Sequence, residues 1–208
     1  MENVLAVYQR PPDPAHPVLC MDETSKQLVG ETRMALPAAS GQPQREDYEY
    51  ERHGVANLFL FCEPLTGWRE VQVTERRTRT DWAAAMRELS DRHYPRAERI
   101  TVVLDNLNTH GPASFYEAFA PDEARRLAER FEFHYTPKHG SWLNMAEIEF
   151  SVLSRQCLER RISDVERLRN ETRAWQQGRN AASKTIDWQF TTANARIKLK
   201  RLYPVIKT

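Results

Sequence analysis

Two short apolar runs in this chain each end on an aspartate: Val18-Leu19-Cys20-Met21 precedes Asp22, and Ile100-Thr101-Val102-Val103-Leu104 precedes Asp105. Their length and their valine and isoleucine content read as buried strands, the second as the central strand of a sheet. A strand buried in this way needs helices packed over the sheet, which constrains the chain to layered α/β architectures. Each run also delivers a carboxylate from its end. An aspartate there serves either as a turn residue bonding nearby backbone amides or as a ligand.

A third acid, Glu147, follows the apolar stretch Trp142-Leu143-Asn144-Met145-Ala146. Taken alone, Asn144-Met145-Ala146-Glu147 reads as a helix capping box, with Asn144 as the cap and Glu147 reaching back to its amide. Taken with Asp22 and Asp105, it completes an all-oxygen donor set of the kind Mg²⁺ or Mn²⁺ prefers, and two such ions clamp a phosphodiester for in-line attack. Glu149 is a rival third ligand. On a helix of about 3.6 residues per turn, both glutamates flank the stripe Ala146, Phe150, Leu153, Cys157 at similar angles, so periodicity does not choose between them. Glu23 adjoins Asp22 but points to the opposite face if the strand continues.

The remaining pattern predicts strands near 17–22, 27–33, 55–63 and 68–76, then a helix from about Asp81 to His93 capped by Thr80 or Asp81. Residues 112–130 read as helical, 131–135 as a strand, and most of 144–182 as helices. Three early strands in hairpin succession followed by helix, strand, helix, strand and helix give a mixed sheet flanked by helices. Residues 35–47, rich in turn formers, read as an exposed loop.

The wording around the acids makes the chain recognisable. Met21-Asp22-Glu23-Thr24, Asp105-Asn106 followed by His110, the run Pro137-Lys138-His139-Gly140-Ser141-Trp142-Leu143-Asn144-Met145-Ala146-Glu147, and Leu202-Tyr203-Pro204 resemble the catalytic domain of mariner-type DDE transposases of the bacterial insertion-sequence branch. The resemblance covers almost the whole chain and implies a ribonuclease H-like α/β fold, with a mixed five-stranded sheet and a helical C-terminal extension. It makes Asp22, Asp105 and Glu147 the catalytic, metal-binding triad, with two Mg²⁺ or Mn²⁺ ions, and selects Glu147 over Glu149. It implies that water cleaves DNA at the transposon end and that the freed 3′-hydroxyl then attacks target DNA, without a covalent protein intermediate. Asn106, His110 and Asn144 become supporting residues. The helix predicted at 121–130 lengthens the interval from Asp105 to Glu147 beyond that of animal mariner elements.

Lys138, His139 and Trp142 precede Glu147, where a cation and an aromatic suit a phosphate and an unpaired base; a core position is the other reading of Trp142. His110 either orients a phosphate or carboxylate near the metals or is a surface turn residue. The net charge of +1 conceals an asymmetry, with 17 Lys+Arg against 24 Asp+Glu in residues 1–150 and 13 against 5 in 151–208. Arg155, Arg160, Arg161, Arg167, Arg169, Arg173 and Arg179, with Arg196, Lys198, Lys200 and Arg201, are candidates to neutralise phosphates. Each alone also fits a solvated helix surface.

With 208 residues and 40% hydrophobic content, the chain suits one catalytic domain, 1–208, in which 163–208 is a basic helical extension. Cys20, Cys62 and Cys157 read as core residues, not disulfide or zinc partners. No apolar stretch reaches membrane-spanning length and the N-terminus does not read as a signal peptide, so a soluble bacterial protein associated with the nucleoid is expected. The helix-turn-helix reader of terminal repeats that such transposases carry is expected to be absent, leaving a split, frameshifted or degraded element. The implied partners are double-stranded DNA (terminal repeats and target), further copies of the chain, and a separate helix-turn-helix subunit. A ribonuclease H-like nuclease without strand transfer and an inactive DNA-binding remnant are the alternatives.

Overall fold

The two aspartate-tipped runs are direct neighbours in one sheet. The computed structural model describes residues 1–33, 39–42 and 48–203. A short helix α1 (Glu2–Val7) leads to β1 (Val18–Glu31), which pairs antiparallel with β2 (Tyr50–Glu63), and β2 pairs antiparallel with β3 (Trp68–Thr74). After α2 (Arg79–Glu88), β4 (Ile100–Leu104) lies parallel to β1 on its free side. Helices α3 (Pro112–Ala118) and α4 (Pro121–Arg130) then lead to β5 (Phe131–Tyr135), parallel to β4. Helices α5 (Ala146–Leu153), α6 (Val165–Ala181) and α7 (Thr192–Lys198) complete the described chain. The strand order β3-β2-β1-β4-β5 is the mixed, helix-flanked five-stranded sheet that the sequence predicts.

Strand alternation sorts the core into two layers. Leu19, Met21, Phe59, Phe61, Val102 and Leu104 face Trp82 of α2 and Phe115 of α3. Cys20, Leu58, Leu60 and Val103 face the other way, against Leu5 of α1, Phe150 and Leu153 of α5 and Leu168 of α6. Burying a large apolar side chain contributes roughly 1.5–3 kcal/mol, so both layers hold the central strands in place. The basic C-terminal segment joins this core, since Leu168 and Ala195 are fully buried.

Several local expectations change. The strands predicted at 17–22 and 27–33 are one, because the polar residues 22–27 stay paired with β2 and a bulge between Gln27 and Val29 absorbs the irregularity. β2 starts at Tyr50 rather than 55, as half of a ribbon with the outer part of β1. The cap of α2 is Thr78, not Thr80 or Asp81: its side chain takes the Asp81 amide while Asp81 returns a bond to the Thr78 amide. The helical stretch at 112–130 breaks at Phe119 and Ala120, which are extended before Pro121. Of the predicted loop at 35–47, only 39–42 is described, as a tight turn through Gly41; the rest lies outside the described residues, as does Pro204.

Edge strand β3 is covered by amide side chains of α6. Asn180 accepts from the Arg69 amide and donates to its carbonyl, both at 2.8 Å, and Gln176 accepts from the Val71 amide at 2.8 Å. These bonds satisfy an edge that would otherwise be open to pairing. Gly67, in the β2–β3 turn, has φ of 79° and lies so close to residue 183 that a Cβ would stand 2.7 Å from its backbone, so glycine is required there.

Candidate functional site

Parallel pairing aligns Cys20 of β1 with Val103 of β4, so two residues further along Asp22 stands beside Asp105. Asp105 follows the carboxyl end of β4 and Asp22 lies just past the stretch of β1 that pairs parallel with it, so both sit at the end of the sheet where open α/β sheets place their ligand sites. Glu147 enters from the first turn of α5, which packs over that face through Ala146 and Phe150. The Asn144–Glu147 capping box does not form. The Asn144 side chain instead donates to the Met21 carbonyl at 2.8 Å and accepts from the Ala146 amide at 3.1 Å, which staples the start of α5 to the strand beside Asp22. Glu147 is exposed, and its side chain has no hydrogen-bond or ion-pair partner among the described residues.

Glu149, the rival of Glu147, is buried and fully engaged. It meets Arg69 through two bonds of 2.6 and 2.9 Å and Arg179 through two of 2.8 and 3.1 Å. The two glutamates differ in what packs against their sides of α5, a distinction that helix periodicity alone does not make. Arg179, a candidate phosphate ligand, is thereby committed to a buried ion cluster.

Asp22 is half-buried and accepts one hydrogen bond, from the following amide of Glu23 at 2.8 Å. Its carboxyl is pushed up to about 7, chiefly by burial and further by the charges of Glu147 and Asp105, against the pull of the Glu23 amide and His110. Asp105 accepts from His110 Nδ1 at 2.6 Å, and His110 Nε2 meets Glu23 at 3.3 Å. Burial is the largest influence on this imidazole and opposes its charge. The bonds to Asp105 and Glu23 outweigh it and raise the group to about 9, so it is cationic at neutral pH. His110 is 2% exposed and stacks on Trp82 at 5.7 Å, which excludes a surface turn role.

Glu23 does point away from Asp22, as alternation requires, yet through His110 it rejoins the site from the other face of the sheet. Arg77 extends this chain of contacts, 3.4 Å from Glu23. Neither Glu23 nor Arg77 stands out in the sequence as a site residue, although Arg76-Arg77 directly after a strand was a readable signal. Tyr8 was also silent in the sequence. Its hydroxyl donates to the Leu143 carbonyl at 2.7 Å and so holds the segment before Asn144.

A cleft of about 410 Å³ beside Asp105 is lined by Asn106, Leu107, Thr136, Lys138, His139 and Ser141. Lys138 and His139 are exposed on its wall, and His139 takes a left-handed φ of 62° in the turn closed by Gly140 N donating to Pro137 O at 2.8 Å. Trp142 is not a core residue. It is 45% exposed and packs edge-on against Phe190, 5.4 Å away. Arg155 is exposed, whereas Arg161 is bound to Glu31 and lies over the ring of Tyr50. Arg160, Arg169 and Arg196 likewise meet Glu171, Glu166 and Glu2, so much of the C-terminal basic charge is locally paired. The three cysteines are buried and free, with Cys20 directly opposite Cys62 across β1 and β2.

The family model of DDE superfamily endonucleases matches residues 17–169, which span all five strands and include Asp22, Asp105, His110 and Glu147. The chain belongs to that family. Several solved structures superpose on it across most of its length. A crystal structure of the Mos1 strand transfer complex aligns with a TM-score of 0.60 at 15% identity, covering 88% of this chain and 53% of that one. The Mos1 mariner paired end complex with Mn aligns at 0.54 and 17% identity, covering 85% and 52%. A pre-cleavage Mos1 transpososome aligns at 0.52 and 15% identity, covering 90% and 61%. At these identities the likeness is one of fold, the ribonuclease H-like α/β sheet, and this DDE chain spans little more than half the length of those proteins. No curated protein sequence matches it. Among the described residues, no helix is long and apolar enough to cross a membrane.

Proposed function

We propose that this chain is the catalytic domain of a transposase of the mariner type, from the bacterial insertion-sequence branch, which cleaves DNA at transposon ends and joins the freed 3′ end to target DNA. The observation that carries this reading is the grouping of Asp22, Asp105 and Glu147 at one end of the sheet. Among the described residues neither Asp22 nor Glu147 has an ion-pair partner, and Asp105 shares His110 with Glu23. Desolvated carboxylates that repel one another call for a cation.

The donor set fits a hard divalent ion. It is all oxygen, and Asp22, raised chiefly by burial and then by the charges of Glu147 and Asp105, would be eased by a cation. Among the described residues, no three His, Cys, Asp or Glu side chains stand as a ready-made cage. Asp22, Asp105 and Glu147 would hold Mg²⁺ or Mn²⁺, as one ion or a pair. When bound, the ion polarises the scissile phosphodiester and acidifies the attacking hydroxyl.

The protein's own groups supply positioning. The Asn144 staple and the Tyr8 bond hold α5 so that Glu147 faces the two aspartates. His110 fixes the orientation of Asp105 and leaves its second oxygen free. Lys138 and His139 on the cleft wall bind phosphates, exposed Trp142 stacks on an unpaired base, and Arg155 adds sequence-independent affinity. Residues 1–208 act as one catalytic unit, assembled with further copies on double-stranded DNA in the bacterial nucleoid, with terminal-repeat reading supplied by a helix-turn-helix module.

The test is nicking and strand transfer on labelled transposon-end DNA with Mn²⁺ or Mg²⁺, comparing wild type with Asp105→Ala. Wild type should yield joined products, and the variant should bind DNA while losing activity by at least on the order of 10³-fold. Cutting without joining would reassign the chain as a nuclease. Binding without cutting would make it a DNA-binding remnant.

A further inference from the structure

The sequence places its basic face in the C-terminal quarter, yet the fold sets a second one at the mouth of the carboxylate site. β3 runs parallel to β1, and its last residue, Thr74, pairs with Asn57, which in turn pairs with Ser25, three residues beyond Asp22. The loop that follows, Glu75-Arg76-Arg77-Thr78, therefore leaves the sheet at the end that carries Asp22 and Asp105. It lies on the β3 side, whereas Lys138 and His139 lie on the β4–β5 side.

This loop is held from both ends. Ser25 Oγ donates to Asn57 Oδ1 at 2.8 Å, and Asn57 Nδ2 donates to the Glu75 carbonyl at 3.0 Å. Thr74 Oγ1 donates to the Arg76 carbonyl at 2.6 Å, and Thr78 caps α2. A backbone fixed in this way presents its side chains without further cost for ordering the loop itself. Arg76 is exposed, with no side-chain partner among the described residues. Arg77 is half-exposed, and its one contact among the described residues is a 3.4 Å approach to Glu23, at the long edge of hydrogen-bond range. Two arginines in these states are available to a stronger anion. Arg79, the third of the run, is already tied to Glu117 at 3.1 Å.

We infer that Arg76 and Arg77 form a DNA-phosphate contact that holds the strand flanking the scissile bond on the β3 side of the site. The inference rests on the transposase reading above. The physical need is plain: a mouth lined by carboxylates repels a polyanion, and cations at its rim offset that repulsion where the strand passes in and out. Lys138 and His139 meet it on one flank, Arg76 and Arg77 on the other. On a phosphate Arg77 exchanges a weak monodentate partner for one that matches its planar fork.

The experiment is fluorescence anisotropy of a labelled blunt DNA duplex over a range of salt concentrations, with full-length wild type, Arg76→Ala, Arg77→Ala, the double variant and Arg125→Ala. Arg125 is an exposed arginine of α4 paired with Glu129 and serves as the control. Each loop variant should lower the slope of log affinity against log salt by about 1, and the double variant by about 2, while Arg125→Ala keeps the wild-type slope. Arg77→Lys, which preserves the charge if not the fork, should restore most of the slope, and unchanged thermal melts would show the loop variants folded. Wild-type slopes in Arg76→Ala and Arg77→Ala would overturn the inference and leave the transposase reading standing. No duplex binding by wild type would overturn both.

Discussion

Helix α5 carries two glutamates two residues apart that live in opposite electrostatic worlds. Glu149 is buried, and two arginines neutralise it through four hydrogen bonds. Glu147 is exposed and unpaired, and with Asp105 it helps push Asp22 up to about 7. The difference separates charge that builds from charge that acts. A compensated carboxylate holds β3, α5 and α6 together, whereas uncompensated ones cost stability that only a ligand restores.

The sharpest way to break the comparison is to uncompensate the first group. Glu149→Ala would leave Arg69, which is 1% exposed, without its carboxylate, and should cost about 3–5 kcal/mol in a denaturant melt. A loss under about 1 kcal/mol would show that the cluster is not structural.

The second prediction relieves the other group. The Asp22 carboxyl has its folded value raised from 3.8 to about 7, so the native state binds the extra proton. In chelator, stability should fall as pH rises from about 4 through 7, by up to about 4 kcal/mol. Asp22→Asn should flatten that fall and be the more stable protein at pH 8, as read by melts across pH. Equal pH profiles would show that Asp22 is not strained by its neighbours.

The third prediction concerns the Asn144 staple, which ties the start of α5 to the strand beside Asp22. Asn144→Ala removes bonds to Met21 and Ala146 and should cost about 1–3 kcal/mol. It should lower strand transfer more than DNA affinity, because Glu147 loses its aim while the phosphate contacts remain. Equal losses in both would assign Asn144 to general packing.

Much of this site is legible in the chain itself. Apolar runs that end on a charge draw the eye to Asp22 and Asp105, although β1 itself continues past Asp22 to Glu31. The motif ending at Glu147 names the third acid by likeness, although the local pattern Asn-Met-Ala-Glu suggests a capping box that the fold does not form. Glu23, Arg77 and Tyr8 stay hidden because their parts depend on partners 54 to 135 residues away. Trp142 also escapes a reading from hydrophobicity alone, since an aromatic at the rim and one in the core look identical in a sequence.

By itself the sequence determined a mixed sheet flanked by helices and marked Asp22 and Asp105 as candidate acids, because alternation, apolar run length and turn chemistry are local properties; the order of the strands came from the fold. Only the tertiary structure decided which glutamate of α5 is free, which histidine partners Asp105, and which arginines remain unpaired at the site. Those outcomes depend on which distant charges the packing brings within a hydrogen bond of one another, and no local pattern encodes that distance.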